Sequence, residues 1–328
     1  MRVAAVDCGT NSIRLLVADV PAADAAATAD PAPLAEVVRR MEIVRLGQGI
    51  DATGAITPEA MERTLARSRE YAHQCAELEV DRVRFVATSA SRDARNADEF
   101  VAGVRAAFAS WDIAPEVITG AEEALLSFTG STGELAGAAG VPGPYLVVDL
   151  GGGSTEFVRG DLRGGQADVG AAISTNIGCV RFHERFAFAD PPTREQIERA
   201  TTAADVVITQ AQQAVGFTGI NALVGLAGTV TTIAAHALRL PTYDRDVIHG
   251  SRLPVESILE ACDDIVRATV AQRSSLGFMH PGRADVIGAG ALIWGRIVAR
   301  VADESGITEV VTSEHDILDG IALSLSRA

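Results

Sequence analysis

The sequence predicts an α/β protein built from two related halves, and three observations lead there. Strand-like segments alternate with helical ones along most of the chain. A strand that ends in aspartate and runs into a glycine-containing turn opens the sequence as VAAVDCGTNS at residues 3–12. The same pattern returns as YLVVDLGGGS at residues 145–154. Aligned on Asp7 and Asp149, both copies carry a Gly two residues after the Asp and a Ser five residues after it, about one domain length apart. With 328 residues, 48% of them hydrophobic and 22% charged, the chain has material for two cores. Aromatics are only 5%, so Ala, Val, Leu and Ile do most of the packing.

In order, residues 3–7 read as a strand, 8–12 as a tight turn and 13–20 as a second strand. Residues 21–35, rich in Ala, Asp and Pro and without periodicity, read as an exposed loop. The strand pattern resumes over 36–46 and stops at Gly47-Gln48-Gly49. Thr57 as N-cap with Pro58 at the first helical position starts a helix that runs to about Leu78. A short strand at 83–88 follows, and Asn96 with Glu99 predicts a capping box on a helix ending near Ser110. Residues 116–119 form a strand leading into a helix that begins near Gly120. After a Gly/Pro loop at 137–144 the opening pattern repeats as strand 145–149, turn 150–155 and strand 156–159. The rest reads as helix 193–215, strand 222–226, a turn at Ala227-Gly228-Thr229 and a helix from Val230. A long apolar helix 284–301, a strand 309–312 and a final helix after Ser313 complete the chain.

Net charge is −15, and all 28 basic residues are arginine. That balance opposes nucleic-acid or anionic-membrane binding, which needs a basic surface. No apolar run reaches the roughly 18 residues of a membrane span. The first seven residues meet charge too early for a signal peptide, so a soluble cytoplasmic protein is expected. Cys8, Cys75, Cys179 and Cys262 form no CxxC pair, which argues against disulfides and zinc and for reduced thiols. His249, His280 and His315 lack i,i+4 partners and are not expected to bind metal, and Trp111 and Trp294 are assigned to core.

A strand ending in Asp before a Gly-rich turn suits phosphate or metal binding. Glycine admits conformations in which several N–H groups point at one anion. Thr10, Ser12, Ser154 and Thr155 add hydroxyls, and the aspartates can hold Mg²⁺ directly or through water. Gly228-Thr229 supplies a third such turn. Other readings compete. Cys8 through Arg14 fits the C-x5-R loop of cysteine phosphatases, but that loop leads into a helix and residues 13–20 read as a strand. The glycines of LGGGS lack G-x-G-x-x-G spacing and also precede a strand, against a dinucleotide-binding turn. A non-catalytic nucleotide sensor is the stronger rival, because one fold serves binding as readily as hydrolysis. Taken alone, Glu122-Glu123 fits a solvated helix face, and Arg92 and Arg95 fit surface charges.

Six segments in order, VDCGTNS, ATSASRDARN (87–96), ITGAEEALLSF (118–128), VVDLGGGSTEF (147–157), LAGTVTT (226–232) and RADVIGAGALI (283–293), resemble the successive signatures of the exopolyphosphatase/guanosine-pentaphosphatase family, in its short two-domain form. The resemblance implies duplicated ribonuclease-H-like (actin/Hsp70/sugar-kinase) domains with an interdomain cleft. It divides them as 1–120 and 121–313, with a closing helix 314–328 packing on the first. It implies release of a terminal phosphate from polyphosphate by metal-assisted water attack, with guanosine pentaphosphate or a nucleoside triphosphate as the alternative substrate. Residue by residue, it places the catalytic base on Glu123. Metal ligation (Mg²⁺ or Mn²⁺) falls to Asp7, Asp149 and Glu156. Phosphate binding falls to Gly9, Thr10, Asn11, Ser12, Arg92, Gly151, Gly152, Gly153, Ser154, Thr155, Gly228 and Thr229. Adjacent helical residues lie about 100° apart, so Glu122 and Glu123 cannot both face one site. Many members carry Arg two residues after the catalytic Glu, where this chain has Leu125. With the acidic net charge, that points to short polyanions. The partner expected is a small-molecule polyanion, with no nucleic acid and no membrane, and a homodimer is left open.

Overall fold

The computed structural model describes residues 1–20, 34–137 and 140–326, so most of the expected 21–35 loop lies outside the described residues. The chain divides into two compact units: Met1–Gly130 with Arg163–Gln166 and Asp316–Ala328, and Ser131–Leu162 with Ala167–His315.

In the first unit β1 (Arg2–Cys8) pairs antiparallel with β2 (Ser12–Asp19), and β2 antiparallel with β3 (Ala35–Ile43). Helices α1 (Ile50–Thr53) and α2 (Pro58–Glu77) lead to β4 (Arg82–Ala87), which runs parallel to β1. Then come α3 (Ser89–Asp93), α4 (Ala97–Ala107), β5 (Glu116–Val117) and α5 (Gly120–Gly137). The sheet order is β3-β2-β1-β4-β5. Thr57 caps α2 as expected, accepting the Ala60 N–H. The capping box at Asn96 does not form. Its side chain instead brackets Ile56, accepting that residue's N–H at 2.9 Å and donating to its carbonyl at 3.0 Å. A long-range bracket of this kind outcompetes the local cap. The helix there stops at Ala107, and a 3-10 turn at Ala109–Trp111 follows.

The second unit holds β6 (Tyr145–Leu150), β7 (Thr155–Arg163), β8 (Gln166–Thr175), α6 (Cys179–Phe186), α7 (Arg194–Val215) and β9 (Ala222–Leu226). It continues through α8 (Ala227–Ala237), α9 (Arg245–Ile248), β10 (Arg252–Pro254), α10 (Val255–Arg267), α11 (Val270–Ser274), α12 (Ile287–Ser305) and β11 (Glu309–Thr312). The chain then returns to the first unit as α13 (Ile317–Ser326). The sheet order is β10-β11-β9-β6-β7-β8. Read from its far edge, β8-β7-β6-β9-β11 repeats the first unit's β3-β2-β1-β4-β5. In both, the central strand pairs antiparallel on one side and parallel on the other. This is a ribonuclease-H-like sheet built twice, with β10 added antiparallel at one edge. The expected turn at Gly228-Thr229 is the first turn of α8, and the long apolar helix starts at Ile287, not 284.

Strand alternation decides which side chains can meet. Along β1, Ala4, Val6 and Cys8 pack beneath α2 and α4 with Tyr71, Cys75, Phe100 and Val104. Val3 and Ala5 face the other way, against Ile317, Leu318, Ile321 and Ala322 of α13 and Leu126 of α5. Asp7 belongs to that second series. In β6, Leu146, Val148 and Leu150 join the larger core formed with α6, α7, α8, α10 and α12, which leaves Asp149 on the opposite face. Trp294 is fully buried in that core, and Trp111 packs half-buried on the first unit's core. Among the described residues, no helix is long and apolar enough to cross a membrane.

Candidate functional site

The two Asp-turns have the same geometry. Gly9 N–H donates to the Ser12 carbonyl at 3.0 Å, and Gly151 N–H to the Ser154 carbonyl at 3.0 Å. In each unit the segment after the third strand ties the turn's carbonyls back. Gly47 N–H donates to Thr10 O (2.9 Å), and Val44 and Arg45 N–H to Asn11 O (3.0 and 2.8 Å). In the second unit Cys179 N–H donates to Gly151 O (3.1 Å), and Val180 and Arg181 N–H to Gly152 O (2.9 and 3.1 Å). Arg181 Nε donates to Gly153 O at 2.8 Å. A trans peptide points its C=O and N–H in opposite directions. With those carbonyls held on one side, the N–H groups of Asn11 and Ser12, and of Gly152, Gly153 and Ser154, turn to the other. Asn11 Oδ1 is buried without a hydrogen-bond partner. Amide O and N are interchangeable in assignment, so the flipped amide would present an N–H₂ donor at that spot.

The units differ in what faces the aspartate. Asp7 opposes Arg14 across the β1–β2 ladder, whereas Asp149 opposes Glu156 across β6–β7. Arg14 Nε and Nη2 both donate to Asp7 Oδ2, at 2.9 and 2.7 Å, and its Nη1 donates to Asp316 Oδ2. Asp316 also accepts the Leu318 N–H at 3.0 Å, capping the start of α13. One guanidinium thus serves two buried carboxylates. Burial pushes the Asp7 carboxyl above its ordinary range; Arg14 pulls it back, and Asp316 adds to the rise. Next along, Asp319 is held by Arg39 at 2.5 Å. In the second unit Asp149 and Glu156 are both buried, and Glu156 accepts the Ser174 hydroxyl at 2.7 Å. Directly opposed carboxylates on one sheet face repel unless a proton or cation comes between them. Among the described residues, no group of three or more His, Cys, Asp or Glu forms a cage for a metal ion.

Glu122 and Glu123 diverge as helical geometry requires. Glu122 accepts a hydrogen bond from Arg84 Nη2 at 2.8 Å on the outside. Glu123, only 8% exposed, lies in the first turn of α5 and accepts Arg92 Nη1 at 2.8 Å. Arg92 is steadied by a second bond to the Ile118 carbonyl, also 2.8 Å. Arg92 sits on α3, whose Ser89 hydroxyl is 2.7 Å from that of Thr10. The turn, α3, Arg92 and Glu123 are therefore linked by a continuous set of bonds within one unit. Leu125 is exposed on the same helix.

Not every expected residue lines a turn. Thr155 donates its hydroxyl to the Ile177 carbonyl at 2.7 Å and is fully buried. Thr229 packs against Gly290 and hydrogen-bonds the Cys179 thiol, behind the segment that holds the second turn. Gly228 has the Arg283 guanidinium lying on it, 2.3 Å from where a Cβ would stand. His249 Nδ1 accepts the Glu314 N–H, His280 caps Gly282, and the rings of His249 and His315 meet edge-on at 4.6 Å. Cys8 is fully buried, burial pushes its thiol well above the ordinary range with Asp7 adding to the rise, and Arg14 is engaged by carboxylates. With β2 a strand and not a helix, the cysteine-phosphatase loop does not form. Arg14 as Asp7's counter-ion, Asp316, Ser89 and Arg181 were missed in the sequence; only the seven-residue offset of Arg14 from Asp7, matching Glu156 from Asp149, carried a signal.

Comparison with known proteins gives a consistent answer. A sequence model of the Ppx/GppA phosphatase family matches residues 25–325. Exopolyphosphatase 2 of Mycobacterium tuberculosis is 47% identical over 327 residues, covering 99% of this chain and 98% of the relative. The crystal structure of an exopolyphosphatase-like protein superposes with a TM-score of 0.90 at 43% identity, covering 99% and 98% of the two chains. That of a Ppx/GppA family member from Aquifex aeolicus gives 0.77 at 30% identity, covering 99% and 97%.

Proposed function

We propose that this chain, which belongs to the Ppx/GppA phosphatase family, hydrolyses the terminal phosphoanhydride of a short polyphosphate in the cytoplasm. The observation that carries the reading is the duplicated turn with its carbonyls tied back and its amides turned outward, which makes an anion receptor from backbone alone. Glu123 is assigned the general base. It is a buried carboxylate whose ion pair with Arg92 fixes its orientation. In the step proposed, Glu123 takes a proton from water as the water oxygen bonds to the terminal phosphorus. The bridging P–O bond breaks, and its electron pair leaves on the shortened chain. Outward N–H groups of the first turn, which belongs to the same unit as Glu123, and the hydroxyls of Thr10 and Ser12 bind non-bridging oxygens; the second turn, with Ser154, is a phosphate receptor of the same form.

Asp149 and Glu156 fit a divalent cation, since two buried carboxylates opposed on one sheet face are a hard-oxygen pair. Mg²⁺ takes one or two carboxylates and completes its shell with waters and phosphate oxygens, so a three-ligand protein cage is not required. Bound there, it would offset charge on phosphate held at the second turn. Asp7 is a weaker ligand, because Arg14 already balances it through Oδ2. The test is phosphate release by purified protein with Mg²⁺ on tripolyphosphate, longer polyphosphates, guanosine pentaphosphate and ATP. Release from tripolyphosphate ahead of the nucleotides supports the proposal. Preference for guanosine pentaphosphate or ATP selects the alternative substrate, and binding without release selects a sensor.

A further inference from the structure

We propose that Gly47 and Gly178 are positioning residues for the two phosphate turns, each holding its turn in register by the absence of a side chain. This rests on the reading of those turns as phosphate receptors. The two glycines are not part of either turn. They lie in the segments that follow β3 and β8 and that supply the N–H groups tying back the turn carbonyls. A Cβ on Gly178 would stand 2.5 Å from the Gly152 carbonyl carbon and oxygen and 2.7 Å from Gly153 N. A Cβ on Gly47 would stand 2.3 Å from Thr10 Cγ2. The first segment carries a further mark of constraint. Arg45, which donates to Asn11 O, has φ of 49°, in the left-handed region that non-glycine residues rarely adopt. Close approach, not conformational freedom, is what these two glycines supply: Gly178 has an extended backbone, φ −164°.

The two contacts differ in kind, and the difference makes the inference testable. At Gly178 the obstacle is the backbone of Gly152 and Gly153, so an added methyl displaces the N–H groups themselves. At Gly47 the nearest obstacle is one methyl of Thr10, with Thr10 Cβ at 3.2 Å and Ala90 Cβ at 3.4 Å as milder contacts. An added Cβ forces Thr10 to turn about its Cα–Cβ bond, which moves its hydroxyl off Ser89. Serine at position 10 keeps the hydroxyl and lacks the methyl, so it removes the one contact under 3.0 Å without removing the group being positioned.

The experiment measures kcat and KM for tripolyphosphate with Mg²⁺, and tripolyphosphate binding by calorimetry, for Gly47→Ala, Thr10→Ser, the double variant and Gly178→Ala. Gly133→Ala is the control, since nothing lies within 4 Å of its Cβ position. Gly47→Ala is expected to lower kcat/KM by about 10²-fold on the native background, but by less than about threefold on Thr10→Ser, the size of an uncoupled change. Gly178→Ala is expected to weaken tripolyphosphate binding by at least about tenfold relative to Gly133→Ala, measured at a temperature where its melting curve shows the variant still folded. Equal cost of Gly47→Ala on both backgrounds overturns the inference, as does Gly178→Ala binding like the control. If Gly47→Ala alone does not fold, the double variant against Thr10→Ser decides: matching values support the inference, and a loss of about tenfold or more overturns it. A wild-type protein that releases no phosphate sinks the functional reading only, because the binding arm still tests the glycines. A wild-type protein that hydrolyses while the variants show no coupling sinks this inference only.

Discussion

Replacing Glu123 by Gln separates the chemistry of this carboxylate from its place in the fold. The amide keeps the shape and one acceptor for Arg92 Nη1, now 2.8 Å from the carboxylate, but loses the charge. A charge-assisted hydrogen bond contributes about 1.5–3 kcal/mol and a neutral one about 1, so the pair weakens by about 1 kcal/mol. Arg92 remains partly exposed and keeps the Ile118 carbonyl, so no cation is stranded. Removing a negative charge from the first turn of α5 costs about a further 0.5 kcal/mol through the helix dipole. A loss of about 1.5 kcal/mol lowers the thermal midpoint by roughly 3–6 °C. A general base contributes about 10²–10⁴-fold to rate, equivalent to roughly 3–5 kcal/mol of barrier. The two effects differ enough to be read separately. Initial rates of phosphate release at saturating Mg²⁺, with a melting curve on the same sample, give both numbers. The expected result is a folded enzyme with kcat down by about 10²–10⁴-fold and a pH–rate profile without its acidic limb. A folded Glu123→Gln protein within about fivefold of wild type would refute the assignment.

Cys8→Ser is expected to change kcat by less than about threefold, and iodoacetamide to leave activity intact, because the thiol is fully buried and held in its neutral form; a trapped phosphocysteine would reverse this view. Exhaustive chelation should abolish release, and Glu156→Gln should raise the Mg²⁺ concentration needed for half-maximal rate; undiminished release after chelation excludes the metal. Gly320→Ala should destabilise the protein by about 3 kcal/mol, since its Cβ would stand 2.1 Å from the Leu126 carbonyl; a melting curve within about 1 °C of wild type would contradict the packing described.

Strand alternation and the doubled Asp-turn made the α/β class and its duplication legible, because a central buried strand followed by a tight turn writes itself into a few adjacent residues. The helix start at Thr57 was readable for the same local reason, and its cap forms; residue 193, read as the first helical residue, is the N-cap of a helix that starts at Arg194. Two of the elements that escaped have weak local signals, whereas α10, with Ile258, Ala261, Cys262, Ile265 and Val266 on one buried face, was overlooked despite a clear helical pattern. β8 is solvent-facing on alternate residues at a sheet edge, and β10 is three residues long. Asn96 misled because its local pattern favoured a cap while Ile56, forty residues away, supplied a better partner. Glu123 was separable from Glu122 by helical angle, with the family resemblance needed to choose between them. The Arg14 link to Asp316 joins residues 302 apart, and no pattern in one sequence encodes such a contact.

The return of α13 to the first unit has a consequence for biosynthesis. Ile317, Leu318, Ile321, Ala322 and Leu325 close one face of the sheet made by residues 2–19 and 82–87, yet they emerge from the ribosome after the whole of the second unit. Among the described residues, the second unit's core draws on residues 146–310. It can therefore be complete while Val3, Ala5, Leu16 and Ala18 still lack their cover. The usual order, in which the amino-terminal part of a nascent chain folds first, is inverted. For that interval the earliest-made strands carry an open apolar face, which makes them the natural place for a holdase chaperone to bind.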